Sequence, residues 1–135
     1  PGGSLGKRLY TRVLDVYDRD NRPQVTLEDG IRKIIVEMSG GRLGAVAVTD
    51  KEGHLQGIIT DGDLRRMLEK YPDVEPLKAH DIMSQHPKTI AEEELAYHAF
   101  QKMEQNSITQ LVVVDEQSVY KGMVHIHDIL REGVV

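Results

Sequence analysis

Apolar positions along the chain alternate between two spacings. Leu27, Ile31, Ile34, Ile35 and Met38 recur at helical spacing and predict one apolar stripe on a helix. Thr26, followed by Glu28 and Asp29, reads as the start of that helix, and Gly40-Gly41 as its stop. The spacing then changes. Ala45–Val48 is a short apolar run, Asp50-Lys51-Glu52-Gly53 a polar turn, and Leu55–Thr60 a second run, which together predict a hairpin. A helix over Leu64–Lys70, beginning near Asp63, closes the series. The same succession returns later. A helix is expected around Glu92–Gln105 with Leu95, Ala99, Phe100 and Met103 inward, then strands Leu111–Val114 and Tyr120–His125 joined by Asp115-Glu116-Gln117-Ser118, then a short helix from Asp128.

The return is a repeat with a fixed offset. A shift of 65 residues carries Gly57 onto Gly122, Met38 onto Met103, Val48 onto Val113, Asp50 onto Asp115, Asp63 onto Asp128 and Arg66 onto Arg131. Pro23–Arg66 maps without a gap onto Lys88–Arg131, with apolar positions falling on apolar positions. Leu14-Asp15-Val16-Tyr17 matches His80-Asp81-Ile82-Met83 with one residue of slippage, and Asp15 and Asp81 read as caps. Each unit is strand–helix–strand–strand–helix, an α/β (α+β) design. The expected division is a leading segment at 1–11, units at 12–70 and 78–135, and a linker at 71–77 whose Pro72 and Pro76 oppose a continuous helix. One such unit buries too little surface to be comfortable alone, and two related by a pseudo-twofold can share a core.

Composition narrows the functions. The 135 residues carry 17 basic and 22 acidic side chains, a net charge of −5, which opposes a general nucleic-acid surface. Aromatics are 4% with no Trp, so stacking platforms are poorly supplied. Cysteine is absent, which removes disulfides and thiolate chemistry and fits a reducing cytoplasm. No membrane span or secretory signal is read. There is no phosphate-binding Gly-x-x-x-x-Gly-Lys loop, nucleophile elbow or His-Glu-x-x-His, and no paired carboxylates, so no catalytic residue and no cofactor is expected in this chain. Met38 and Met103 are expected in the core, and His54, His80, His86 and His98 on the surface.

Two strand-to-helix segments carry the candidate chemistry. The first reads Gly57-Ile58-Ile59-Thr60-Asp61-Gly62-Asp63-Leu64-Arg65-Arg66, and the second Gly122-Met123-Val124-His125-Ile126-His127-Asp128-Ile129-Leu130-Arg131. Thr60 can donate to a phosphate and Asp63 accept from sugar hydroxyls, or Asp63 can simply cap the helix. His125 stands where Thr60 stands and shares a strand face with His127; the pair could bond an anionic group. With Asp128 they also supply ligand types that zinc accepts, although no further ligand is evident. Arg65, Arg66, Arg131 and Lys88 supply local positive charge, or an ordinary solvated face.

The tandem pattern resembles a pair of cystathionine-β-synthase (CBS) domains over nearly the whole chain. The resemblance narrows at Thr-Asp-Gly-Asp-Leu-Arg-Arg, His-x-His-Asp-Ile-Leu-Arg and the Gly133-Val134-Val135 end, which are similar to the regulatory region of bacterial arabinose-5-phosphate isomerases. The opening Pro1-Gly2-Gly3-Ser4-Leu5-Gly6-Lys7-Arg8-Leu9 resembles the end of their sugar-isomerase domain. The resemblance implies a fragment that is not itself an enzyme, attached in its parent to an isomerase of the Kdo pathway. It also implies ligand-binding clefts between the two units. Their residues would be Gln24, Val25, Gly44, Ala45, Thr60, Asp61, Asp63 and Arg66 on one side, and Lys88, Thr89, Thr109, Gln110, His125, His127 and Asp128 on the other. The implied ligand is a nucleotide or nucleotide sugar, with CMP-Kdo favoured over an adenine nucleotide, and the implied assembly is a homodimer. The competing readings are an oligomerisation module that binds no ligand and a metal site at His125, His127 and Asp128.

Overall fold

The computed structural model describes residues 3–135; Pro1 and Gly2, at the head of the opening resemblance, lie outside the described residues. Two compact units emerge, and neither is a continuous stretch of chain. One comprises 22–87 with 117–120, the other the described residues up to 21 with 88–116 and 121–135.

The 22–87 unit is built on β1 (Gln24–Thr26), α1 (Ile31–Gly41), β2 (Ala45–Thr49), β3 (Leu55–Thr60), α2 (Asp61–Lys70) and the single turn α3 (Ala79–Ile82). Strand β1 pairs parallel to β2, with Val25 opposite Val48, and β3 pairs antiparallel to β2, with Ala45 opposite Thr60. A parallel pair needs a crossover, which α1 provides. The central strand β2 is buried at every position, which explains its unbroken apolar run. Val25, Ile34, Met38, Val46, Val48, Ile59 and Met67 form the core.

The second unit repeats the plan with β4 (Thr89–Ile90), α4 (Ala96–Asn106), β5 (Gln110–Val114), β6 (Tyr120–His125) and α5 (Ile126–Glu132). Its sheet order is β4-β5-β6 with β4 parallel to β5. Ahead of them, α6 (Gly3–Tyr10) and the short turn α7 (Val13–Val16) belong to the same unit. Val13, Tyr17, Met103, Leu111, Val113, Val124 and Ile129 fill its core.

The strand–helix–strand–strand–helix order is therefore present twice, but the compact units do not coincide with the sequence units 12–70 and 78–135. The short segment preceding each repeat packs with the other one. Val13–Val16 contributes to the core that contains Met103, and Ala79 to the core that contains Ile34. Two glycines show how. A Cβ at Gly57 would lie 2.7 Å from Met83 Sδ, and one at Gly122, its equivalent, 2.9 Å from Tyr17 Cε2. Each glycine is the floor on which the incoming segment lies.

Several local expectations are corrected. Residues 26–29 form a turn, because the Asp29 carboxylate accepts from Thr26 N (2.7 Å), and α1 starts at Ile31 with Gly30 as its cap. Ile35 is 46% exposed and stands off the inward stripe. The later helix begins at Ala96 rather than Glu92. The helices expected from Asp63 and Asp128 start at Asp61 and Ile126, capped by Thr60 and His125. Of the histidines expected on the surface, three have an acidic neighbour that the sequence did not indicate: His54 lies 3.4 Å from Asp50, His80 3.3 Å from Asp81 and His98 3.3 Å from Glu94.

Candidate functional site

Each set of predicted site residues falls within one unit. In the 22–87 unit, Thr60 ends β3 opposite Ala45, and Gln24 and Val25 lie on β1 beyond it. Gly44 adopts φ +71°, which favours glycine, and a Cβ there would sit 3.6 Å from Asp61 Oδ2. Asp63 is not the cap itself. It is the third residue of α2, and it forms a reciprocal capping box with Thr60: Thr60 N donates to Asp63 Oδ2 (2.9 Å) and Asp63 N donates to Thr60 Oγ1 (3.3 Å).

The Asp63 carboxylate is fully used. Its Oδ2 also accepts from Thr60 Oγ1 (3.2 Å), and its Oδ1 accepts from Ser84 Oγ (2.8 Å) and Arg66 Nη2 (2.8 Å). Asp63 is 6% exposed, whereas the Arg66 side chain is 68% exposed. The guanidinium leans over the first turn of α2, where a Cβ on Gly62 would lie 3.4 Å from both of its terminal nitrogens. Ser84 was missed by sequence reasoning, since it lies 21 residues from Asp63 and no local spacing connects them.

The other unit builds the same turn with different chemistry. His125 N donates to Asp128 Oδ2 (2.8 Å), and His125 Nδ1 accepts from His127 N (3.1 Å). The two imidazoles stack with centroids 4.7 Å apart and planes 24° apart. Burial holds the His125 pKa below its ordinary value; the neighbouring His127 lowers it further and Asp128 opposes the shift. Arg131 Nη2 lies 3.6 Å from Asp128 Oδ1, a looser contact than its counterpart Arg66–Asp63. Thr109 Oγ1 donates to Gln110 Oε1 (2.6 Å), and the Thr109 carbonyl receives Ile126 N (2.8 Å). The Lys88 carbonyl accepts from Val112 N (3.1 Å), and the Thr89 carbonyl from Lys102 Nζ (2.6 Å).

This geometry lends the metal reading no support. Among the described residues no three His, Cys, Asp or Glu side chains are placed to hold a metal ion. His125 Nδ1 is spent on a backbone amide, and Asp128 Oδ2 on the amide of His125.

Comparison with known proteins fits this repeated architecture. The CBS domain family matches residues 13–70 and again residues 79–134. The chain belongs to the CBS domain family. Among curated relatives, the "Arabinose 5-phosphate isomerase KdsD" of Pseudomonas aeruginosa is 43% identical over 136 aligned residues, covering 100% of this chain and 42% of the relative. The chain thus spans about two fifths of the curated relatives it matches. Among solved structures, the CBS domain pair of protein MJ0100, in complex with 5′-methylthioadenosine and S-adenosyl-L-methionine, superposes with a TM-score of 0.74 at 26% identity, covering 90% of this chain and 94% of that one. CBSX2 in complex with AMP superposes with a TM-score of 0.77 at 17% identity, covering 91% and 96%, which speaks to the fold. The chain is a CBS pair with the mixed α and β architecture of these neighbours.

Proposed function

We propose that this CBS pair is the regulatory part of an arabinose-5-phosphate isomerase and senses an anionic nucleotide or nucleotide sugar at its strand-to-helix turns. The 43% identity to a relative of that name supports the parent activity. The adenosine compounds in the complex with protein MJ0100 support the ligand class. The observation that carries the reading is the α2 turn. There an exposed guanidinium leans over a glycine at the start of a helix, with a hydroxyl and a carboxylate beside it. A phosphate on that turn meets Arg66 and unpaired backbone donors. A ribose diol reaching Asp63 takes the place of Arg66, an exposed partner on a long, flexible side chain.

CMP-Kdo is the favoured ligand. Its carboxylate suits the exposed imidazole of His127 in the other unit, where Thr60 is replaced by His125. Binding that favours one arrangement of this turn shifts the population of the whole pair. The signal has an exit, since Lys7 Nζ donates to the Glu132 carbonyl (2.7 Å) and Arg8 Nε to the Val134 carbonyl (3.3 Å), which ties α6 to the end of α5. An isomerase domain ahead of α6 and a cytoplasmic setting complete the proposal.

Calorimetry with CMP-Kdo, CMP, AMP, ATP and arabinose 5-phosphate tests it. One of the nucleotides is expected to bind, and Thr60→Ala or His127→Ala to weaken it at least about tenfold, the loss of one charge-assisted contact. Flat traces for all five overturn the sensor reading. A second reading, assembly without ligand, has its own support: the cleft candidates bond to one another, and Ile35 and Val36 are 46% and 62% exposed beside a groove of about 850 Å³ lined also by Val74. A homodimer closed on this face dissociates in sedimentation when Val36→Glu is introduced. A stable dimer in that variant removes it.

A further inference from the structure

We infer that His125 makes the start of α5 an acid-operated cap, a device absent from the sister unit. The residue at the head of each closing helix must supply an acceptor for an amide of the first turn. In the 22–87 unit that acceptor is the Thr60 hydroxyl, which keeps its lone pairs at any physiological pH. In the other unit it is Nδ1 of His125, 3.1 Å from the His127 amide. A neutral imidazole has one acceptor nitrogen and an imidazolium has none, whichever way the ring is turned. Protonation therefore sets a donor against a donor and breaks the bond.

The surroundings decide which form prevails. On α5 the charged groups acting on His125 are His127, stacked at 4.7 Å, and Asp128, whose Oδ2 is engaged by the His125 amide; Arg131 lies against Asp128 in turn. From β5 the turn meets Thr109 and Gln110, which carry no charge. Lys102 of α4 is directed to the Thr89 carbonyl and Glu94, just ahead of that helix, to His98. Asp15 of α7 accepts from Arg12 N, and Lys7 and Arg8 of α6 hold the far end of α5. Two stacked imidazolium rings repel, and burial disfavours the first of them. A His whose folded pKa lies below its unfolded value contributes stability that is complete above the ordinary value of 6.5 and declines as pH falls through and below it. The cap is thus closed at neutral pH and opens as acid protonates the ring, below the ordinary value of 6.5. The helix has only 7 residues, so one lost cap loosens a large part of it, and its other end is the grip on α6.

Amide hydrogen exchange of the full chain, expressed as protection factors at pH 7.5 and pH 5.0, tests the inference. Protection over Ile126–Ile129 is expected to fall about fivefold in acid, the equilibrium equivalent of an N-cap worth about 1 kcal/mol, with protection of α6 falling alongside. Protection over Asp61–Leu64 stays level. His125→Thr, which copies the sister cap, removes the acid response. An unchanged acid response in His125→Thr, or none in the wild type, overturns the inference. Should that variant fail to fold, nitrogen-15 spectra of the wild-type imidazoles decide: a His125 Nδ1 that keeps its neutral acceptor shift at pH 7.5 and loses it in step with α5 protection supports the cap. A ring that titrates with no change in α5 overturns it.

Discussion

Gly57→Ala is expected to destabilise the chain by about 2–4 kcal/mol, whereas Gly40→Ala stabilises it. At Gly57 the added Cβ would lie 2.7 Å from Met83 Sδ, 2.8 Å from the Ser84 carbonyl oxygen and 3.0 Å from Met83 Cγ. Carbon contacts are comfortable at about 3.5–4.0 Å, so the shortfall approaches 1 Å. Met83 can rotate away, but the Ser84 carbonyl cannot move cheaply. It accepts from Ile58 N (3.0 Å) while Ser84 N donates to Ile58 O (2.8 Å), a closed pair of bonds one residue from the substitution. Overpacking costs about 1–3 kcal/mol, and loss of one of these bonds about 1 kcal/mol more. Gly40 has nothing within 4 Å of its Cβ position and lies within α1, where Ala is preferred by up to about 1 kcal/mol. Urea unfolding of the two variants beside the wild type measures both, with the midpoint moving and the slope unchanged. Gly122→Ala joins the first class, because it meets the Tyr17 ring, which is itself held by its hydroxyl on the Glu92 carboxylate. A Gly57→Ala midpoint indistinguishable from wild type refutes the claim that this glycine is the floor for the exchanged segment.

Other outcomes follow from the same geometry. Thr60→Ala removes the α2 cap and is expected to cost about 1 kcal/mol in a thermal or urea melt; Thr60→Ser restores most of it. Leu111→Ala empties a fully buried position in β5 and is expected to cost about 2–5 kcal/mol by urea unfolding. The Asp50 carboxyl is held below its ordinary value of 3.8, first by the amide of His54 and also by that of Glu52. Its folded pKa is the lower one, so the stabilisation is present above 3.8 and is lost as pH falls through the folded value. A carbon-13 titration of the Asp50 carboxyl reads this as a midpoint under 3.8, and Asp50→Asn removes it.

The sequence carries the two-unit architecture well because burial imposes different periods on different elements. β2 and β5 read as unbroken apolar runs since each is a central strand covered on both faces, and the 65-residue offset then multiplies every weak signal by two. The same repetition conceals the exchange of segments. Leu14–Tyr17 and His80–Met83 are near copies, so either one satisfies the pattern ahead of either unit. What distinguishes them is the fit of Met83 over Gly57 and of Tyr17 over Gly122, contacts that no local spacing reports. Helix starts misread for a related reason: an acidic residue such as Asp29 in front of an apolar stripe looks like a first turn, yet its carboxylate closes a separate turn on Thr26.

At the candidate site the sequence places the named residues on two equivalent turns and leaves their bonding open. Thr-x-x-Asp is the capping-box spacing as much as a ligand pair, and in the folded chain the box forms, with Ser84 and Arg66 completing the carboxylate's four bonds. That has a consequence for any ligand that uses Asp63. Thr60 and Ser84 are held by backbone and neighbouring strand, so the exchangeable partner is Arg66, the group best placed to follow a phosphate once released. Binding at this turn is then a swap of one ion pair for another rather than the filling of an empty acceptor, and its net energy is the small difference between two large terms. In the second unit His125 takes the cap position through an imidazole nitrogen, which local reasoning does not expect of histidine and which only the alignment with Thr60 discloses. The two turns are therefore equivalent in place and unequal in chemistry: one caps its helix with a hydroxyl, the other with an imidazole nitrogen.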